Sequence, residues 1–91
     1  MSEHEDSYHD ILYRNIGRLL GEADWTRQRA AAEIGMKRGT FSAKLHATSD
    51  FRLGELIKLA AALDTPFSEL VRGFDQASEL HAGISDEAVP A

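Results

Sequence analysis

The side chains best equipped for specific chemistry in this chain are cations gathered around one glycine. Arg27 and Arg29 precede Gly35, Lys37 and Arg38 follow it directly, and Lys44 comes six residues after Arg38, with Ser42 between them. Guanidinium and ammonium groups bind anions, and an arginine fork also matches paired acceptors such as guanine O6 and N7. Arg27, Gln28 and Arg29 stand where a helix should open. Cations in a first turn oppose the helix dipole, at about a few tenths of a kcal/mol each. An external anion removes that conflict, and a DNA phosphate is the obvious one. Other chemistries find little support. His4, His9, His46 and His81 have no spacing that pairs two of them on one helical face. His4 and His9, five apart beside carboxylates, would support weak adventitious metal binding at most. No nucleophile motif, glycine-rich phosphate loop or convergent carboxylate pair stands out. The expectation is no catalysis, no cofactor, no metal and no small-molecule ligand.

Those cations need a frame, and Thr26–Ala47 supplies one. It reads as two short helices, Arg27–Ile34 and about Arg38–His46, pivoting on Gly35. Ala30 and Ala31 are small enough to let the helices cross closely, and a glycine tolerates the positive φ that such a turn often needs. Thr26 is a good N-cap. Trp25 before it can pack on Ala30 as a hydrophobic staple. Phe41 and Leu45, four apart, anchor the second helix, and Met36 fills the gap behind the turn. Gly39, poor in a helix by propensity, lets that end approach a partner closely. This is helix-turn-helix geometry, which presents its second helix to the DNA major groove.

The flanking elements follow from periodicity. Ser7, with Asp10 three residues on, resembles a capping box before a helix over Tyr8–Glu22. Leu12, Ile16, Leu19 and Leu20 form its apolar stripe, with Ile11 at the edge; Tyr8 and Tyr13 read as packing or surface residues. Gly17 is expected to admit a neighbouring helix and Gly21 to mark fraying. After a loop over residues 47–51, a fourth helix should run to about Leu63, capped near Asp50 or Arg52. Its expected stripe is Leu53, Leu56, Ile57, Ala60 and Leu63, with Leu59 and Ala61 at the margins. Thr65-Pro66 reads as a cap followed by a proline at the first position of a fifth helix. Phe67, Leu70 and Val71 close the core, and Gly73 stops that helix. Residues 75–82 could add a turn or two ending at Gly83. The organisation is a flexible acidic leader (1–6), one helical domain (7–74) and a partly helical C-terminal extension (75–91).

Ninety-one residues make one small domain, and no apolar run is long enough to span a membrane. The acidic start is wrong for a secretory signal. The absence of cysteine excludes disulfides and fits a reducing cytoplasm. Sparse valine and isoleucine with no alternating pattern point to an all-α fold. The net charge of −5 is unevenly spread. Residues 11–53 carry eight Lys/Arg against four Asp/Glu, whereas 1–10 carry four carboxylates and no Lys/Arg, and 54–91 carry seven against two. A basic middle between acidic ends is a localised footprint for an anionic partner.

From about Ile11 to Phe74 the chain resembles the lambda-repressor-like (phage repressor or XRE-type) helix-turn-helix family. The resemblance rests on Ala30-Ala31, Ile34-Gly35-Met36 and Thr40-Phe41-Ser42. Downstream it rests on Leu53-Gly54-Glu55-Leu56-Ile57-Lys58-Leu59-Ala60 and Leu63-Asp64-Thr65-Pro66-Phe67-Ser68-Glu69-Leu70. It implies a compact five-helix domain that binds double-stranded DNA as a transcriptional regulator. It also implies a set of DNA-binding residues. Arg27 would meet phosphate beside Gln28, and Arg38, Gly39, Ser42 and Ala43 would lie at base edges. Lys37, Thr40 and Lys44 would flank them on the backbone. Two positions depart from the pattern: Lys44 stands where many members carry an aliphatic residue, and Ala47 stands near a usual glycine. A phage or prophage repressor is the expected role, acting as a homodimer through helix five and Asp75–Ala82. The alternative is an antitoxin or other protein-interaction adaptor on the same fold, using its acidic C-terminal tail.

Overall fold

Five α-helices succeed one another in the computed structural model, which describes residues 6–46 and 49–80. They are α1 (Tyr8–Ala23), α2 (Arg27–Glu33), α3 (Arg38–Leu45), α4 (Leu53–Ala62) and α5 (Phe67–Leu70), followed by a 3₁₀ turn, Phe74–Gln76. Residues 78–80 begin another helical turn. Among the described residues there is no strand, in keeping with the all-α expectation. The bounds differ from those expected by a residue or so, except that α5 ends at Leu70, before the expected stop at Gly73. Leader residues 1–5, Ala47 and the proposed stop at Gly83 lie outside the described residues.

Three helices end by one device. Asp24 (φ 61°), Gly35 (φ 71°) and Asp64 (φ 55°) adopt left-handed backbone. The next amide in each case returns to a carbonyl five residues back: Trp25 to Leu20 at 2.9 Å, Met36 to Ala31 at 2.8 Å and Thr65 to Ala60 at 3.0 Å. This reversal satisfies carbonyls that a helix end leaves without partners. Aspartate tolerates the left-handed region better than most side chains do, and so replaces glycine at two of the three sites. Helix α1 therefore runs through Gly21 to its stop at Asp24, and Gly21 marks no fraying point.

The core is built from Leu12, Ile16, Leu19 and Leu20 of α1, Ala30, Ala31 and Ile34 around α2, Phe41 and Leu45 of α3, Leu56, Leu59 and Ala60 of α4, and Leu70 of α5. Trp25, Met36, Phe51, Leu63 and Phe67 close over it. Phe41, at its centre, has no exposed surface. The stripe on α4 is turned from the expected one. Leu59 is fully buried, whereas Leu53 and Ile57 are 63% and 51% exposed. The apolar residues of α4 span too wide an arc to bury together. The buried arc includes the Glu55 edge, where that side chain reaches α3, and leaves Leu53 and Ile57 beyond the opposite edge. Gly17 is exposed, and a Cβ there would meet nothing within 4 Å, so it admits no neighbouring helix.

The C-terminal segment returns to α1. The Asn15 side chain donates to the carbonyls of Leu70 (2.8 Å) and Arg72 (2.9 Å), satisfying the end of α5. The Ser78 amide donates to the Asp6 carbonyl at 2.8 Å. At the start of α1, Ser7 Oγ accepts from the His9 amide at 3.1 Å, as an N-cap should. The reciprocal carboxylate is Glu79, which accepts from the Tyr8 amide (2.8 Å) and from the Ser7 hydroxyl (2.7 Å), and not the expected Asp10. At α5 the cap is Pro66 rather than Thr65, so the helix starts at Phe67, one position later than expected.

Candidate nucleic-acid interface

Helices α2 and α3 are held by short-range features. Ala30 and Ala31 are buried to 0% and 1% exposure, so α2 offers backbone rather than bulk to its neighbours. Thr26 Oγ1 caps α2 by accepting from the Arg29 amide at 3.0 Å. Trp25 is half-buried against the core, and the Arg29 guanidinium stacks 4.4 Å from the centre of its ring. Gly35 turns the chain into α3. At α3 the capping residue is Lys37, which makes no side-chain capping bond. A lysine has no acceptor to offer, so the first amides of α3 remain open to an outside anion.

One cleft brings together Thr26, Arg27, Gln28, Arg38 and Ser42, joining the starts of α2 and α3. Lys37, Gly39 and Thr40 are exposed on the same leading stretch of α3, and Ala43 is half-buried. Of the expected contact residues, Arg27, Gln28, Arg38 and Ser42 thus share one cleft, and Lys44 is engaged elsewhere. Lys44 is only 12% exposed at its side chain, and its Nζ donates to both carboxylate oxygens of Glu55, at 2.7 and 2.9 Å. The lysine stem is largely buried and its charge is neutralised against α4. Lys44 thus differs from Lys37 and Arg38, which form no ion pair among the described residues.

The electrostatics sort the remaining arginines. Arg14 pairs with Asp6 (2.6 Å), Arg18 with Glu22 (3.3 Å) and Glu69 (3.1 Å), and Arg29 with Glu33 (3.6 Å). Among the described residues, Arg27, Lys37 and Arg38 form no ion pair. Arg27 instead donates to the Tyr13 hydroxyl at 2.9 Å and lies 5.4 Å from that ring's centre.

Two residues of consequence escaped the sequence reading. Glu55 was visible only as part of a motif, although its place three residues after the cap Arg52 is a capping position. Its carboxylate accepts from the Arg52 amide at 2.8 Å as well as from Lys44. Burial works against ionised Glu55, but the hydrogen bonds from Lys44 and the Arg52 amide outweigh it and hold the carboxyl below its ordinary range. Tyr13 carried no local signal, because its partner lies fourteen residues away on another helix.

A glycine-turned helix pair that gathers unpaired cations on its outer face is a nucleic-acid-binding module of the helix-turn-helix class. A family model described as the Cro/C1-type HTH DNA-binding domain matches residues 15–74, which is 60 of the 91 residues. The chain belongs to that family, and the lambda-repressor-like resemblance and all-helical fold stand with it. It is thereby a DNA-binding domain of the transcription-regulator kind. Comparison with curated proteins and with solved structures gives no match. Among the described residues, no helix is long and apolar enough to cross a membrane.

Proposed function

We propose that this protein is a sequence-specific transcriptional regulator, a phage or prophage repressor in type, that occupies operator DNA through α3. The observation that carries this reading is the cleft of Thr26, Arg27, Gln28, Arg38 and Ser42, whose two arginines form no ion pair among the described residues. Arg38 reads a guanine through O6 and N7, while Ser42 and Ala43 lie against neighbouring base edges. Gly39 lets the start of α3 approach the groove. Arg27, Gln28, Lys37 and Thr40 bind backbone phosphate, as do the uncapped amides of α3. So sparse a reading face leaves part of the specificity to DNA shape.

Two copies on adjacent half-sites supply the affinity that one small module lacks. Their contact uses the C-terminal helices, where Leu80 is 46% exposed. The adaptor reading loses ground because acidic groups of the C-terminal half are already engaged. Glu79 binds Ser7 and Tyr8, and Glu69 binds Arg18 and Arg72.

Footprinting on the region upstream of the protein's own coding sequence tests this function, together with a salt titration. Protection of a short site is expected, with an affinity that falls steeply as salt rises. The absence of detectable binding to any genomic fragment at low salt overturns it.

A further inference from the structure

The Arg27–Tyr13 pair lies between three helices. Tyr13 is on α1, Arg27 opens α2, and His46 follows the last residue of α3. The hydroxyl of Tyr13 accepts from Arg27 Nη2, while the ring faces the guanidinium on one side. The His46 ring lies 5.5 Å from the Tyr13 ring, tilted by 40°. Tyr13 is nevertheless 37% exposed, and Arg27 and His46 are exposed too. A phenol that accepts one hydrogen bond keeps its own proton to donate. Among the described residues, no acceptor takes the Tyr13 proton and no carboxylate pairs with Arg27. The phenol proton and the remaining guanidinium N–H groups are therefore left free beside each other, with Nη2 2.9 Å from the hydroxyl oxygen, and Arg27 also lines the α3 cleft. An anion with two acceptor oxygens fits them.

We infer that Tyr13 belongs to the DNA interface: its hydroxyl donates to the same backbone phosphate that Arg27 binds, so that α1 as well as α2 grips the duplex. This rests on the proposed DNA-binding function and adds a contact from outside the helix-turn-helix pair. The Tyr13 ring fixes the arginine's direction before DNA arrives, and the His46 ring fixes the tyrosine. Such prior ordering lowers the cost of immobilising a long flexible side chain on binding.

The test uses the full chain and a single duplex that the parent protein selects from a random-sequence pool. Tyr13→Phe keeps the ring and removes only the hydroxyl, so thermal melting should be unchanged. Affinity should fall by about tenfold, the scale of one hydrogen bond to a charged group, with the slope of affinity against salt unaltered because no charge is lost. In an Arg27→Ala background, Tyr13→Phe should have little further effect, since the two donors share one phosphate. Affinity within about twofold of the parent overturns the inference. So does a full-size Tyr13 effect in Arg27→Ala. A salt slope reduced by about one in Tyr13→Phe also overturns it, because the tyrosine would then only be aiming the arginine. Arg38→Ala is the control: if it too leaves affinity intact, the DNA-binding function itself is at fault.

Discussion

The α2–α3 face and the surface around α1 carry the same kinds of cation and use them differently. Around α1, Arg14, Arg18 and, from the C-terminal side, Arg72 each have a carboxylate within 4 Å, and His9 lies 2.7 Å from Asp50. On the α2–α3 face, Arg27, Lys37 and Arg38 have none among the described residues. Of the eight cations in residues 11–53, four (Arg14, Arg18, Arg29 and Lys44) are neutralised by partners. The exposed pairs among them, those of Arg14, Arg18 and Arg29, contribute about 0–1 kcal/mol to stability, so their larger effect is on the field. They cancel the charge of Arg14 and Arg18 around α1 and leave that of Arg27, Lys37 and Arg38 uncancelled. A protein of net charge −5 can in this way present a local positive face.

The sharpest way to break that comparison is to remove one arginine from each region. Arg38→Ala should cost about 1–3 kcal/mol of specific binding, relax discrimination at one base pair and lower the salt slope by about one. Arg14→Ala should leave the affinity and the slope where they were. Both are measured by fluorescence anisotropy over a salt series. Equal losses from the two variants would mean that the pairing with Asp6 does not shield Arg14, and the distinction between the faces would fall.

The second test concerns Lys44, which the sequence places beside DNA and which the structure pairs with Glu55. Lys44→Met at neutral pH should leave Glu55 half-buried without its main partner and cost about 1–2 kcal/mol of stability. DNA affinity, measured where the variant is folded, should be unchanged; a drop in the salt slope would return Lys44 to the interface. The pair also sets a pH dependence. Glu55 has a lower pKa folded than unfolded, so the unfolded chain binds more protons and stability rises with pH through this region. The contribution is complete above the ordinary value of 4.5 and disappears as pH falls through the lower folded value. Thermal melts from neutral to acid pH should show this loss in the parent, and Glu55→Gln should flatten that part of the curve.

What the sequence made readable divides along similar lines. Local features were plain. The Thr26 cap, the Gly35 turn and the Phe41–Leu45 anchors each depend on neighbours within a few residues. Features set by several helices together were not. The rotation of α4 was misjudged because Leu53 and Ile57 fit a helical stripe as well as Leu59 does; only packing against the other helices, with Glu55 reaching Lys44, chooses between them. The grouping of Arg27, Gln28, Arg38 and Ser42 was foreseen because a helix-turn-helix fixes it locally. The pairing of cations with distant carboxylates was not, since Arg18 finds Glu69 across fifty-one positions. Segment charge alone overstated the footprint for that reason.

The smallest expected effect lies where the C-terminal segment meets the start of α1. Glu79 serves as the carboxylate half of a cap for α1, although it is seventy-one residues from the Tyr8 amide it accepts. Hydrogen bonds from Ser7 and the Tyr8 amide hold its carboxyl below the ordinary range. Ser7 still caps the helix alone through its bond from the His9 amide, so Glu79→Ala should lower Tm only slightly. Native-state hydrogen exchange localises the loss. The Tyr8 amide should exchange faster, because its acceptor is gone, while amides in α3 keep the protection of the parent. DNA affinity should not move. Unchanged exchange at Tyr8 would show that water serves that amide equally well. Faster exchange in α3 would show that the α1–C-terminal contact supports the reading helix, and that the two regions are coupled rather than separate.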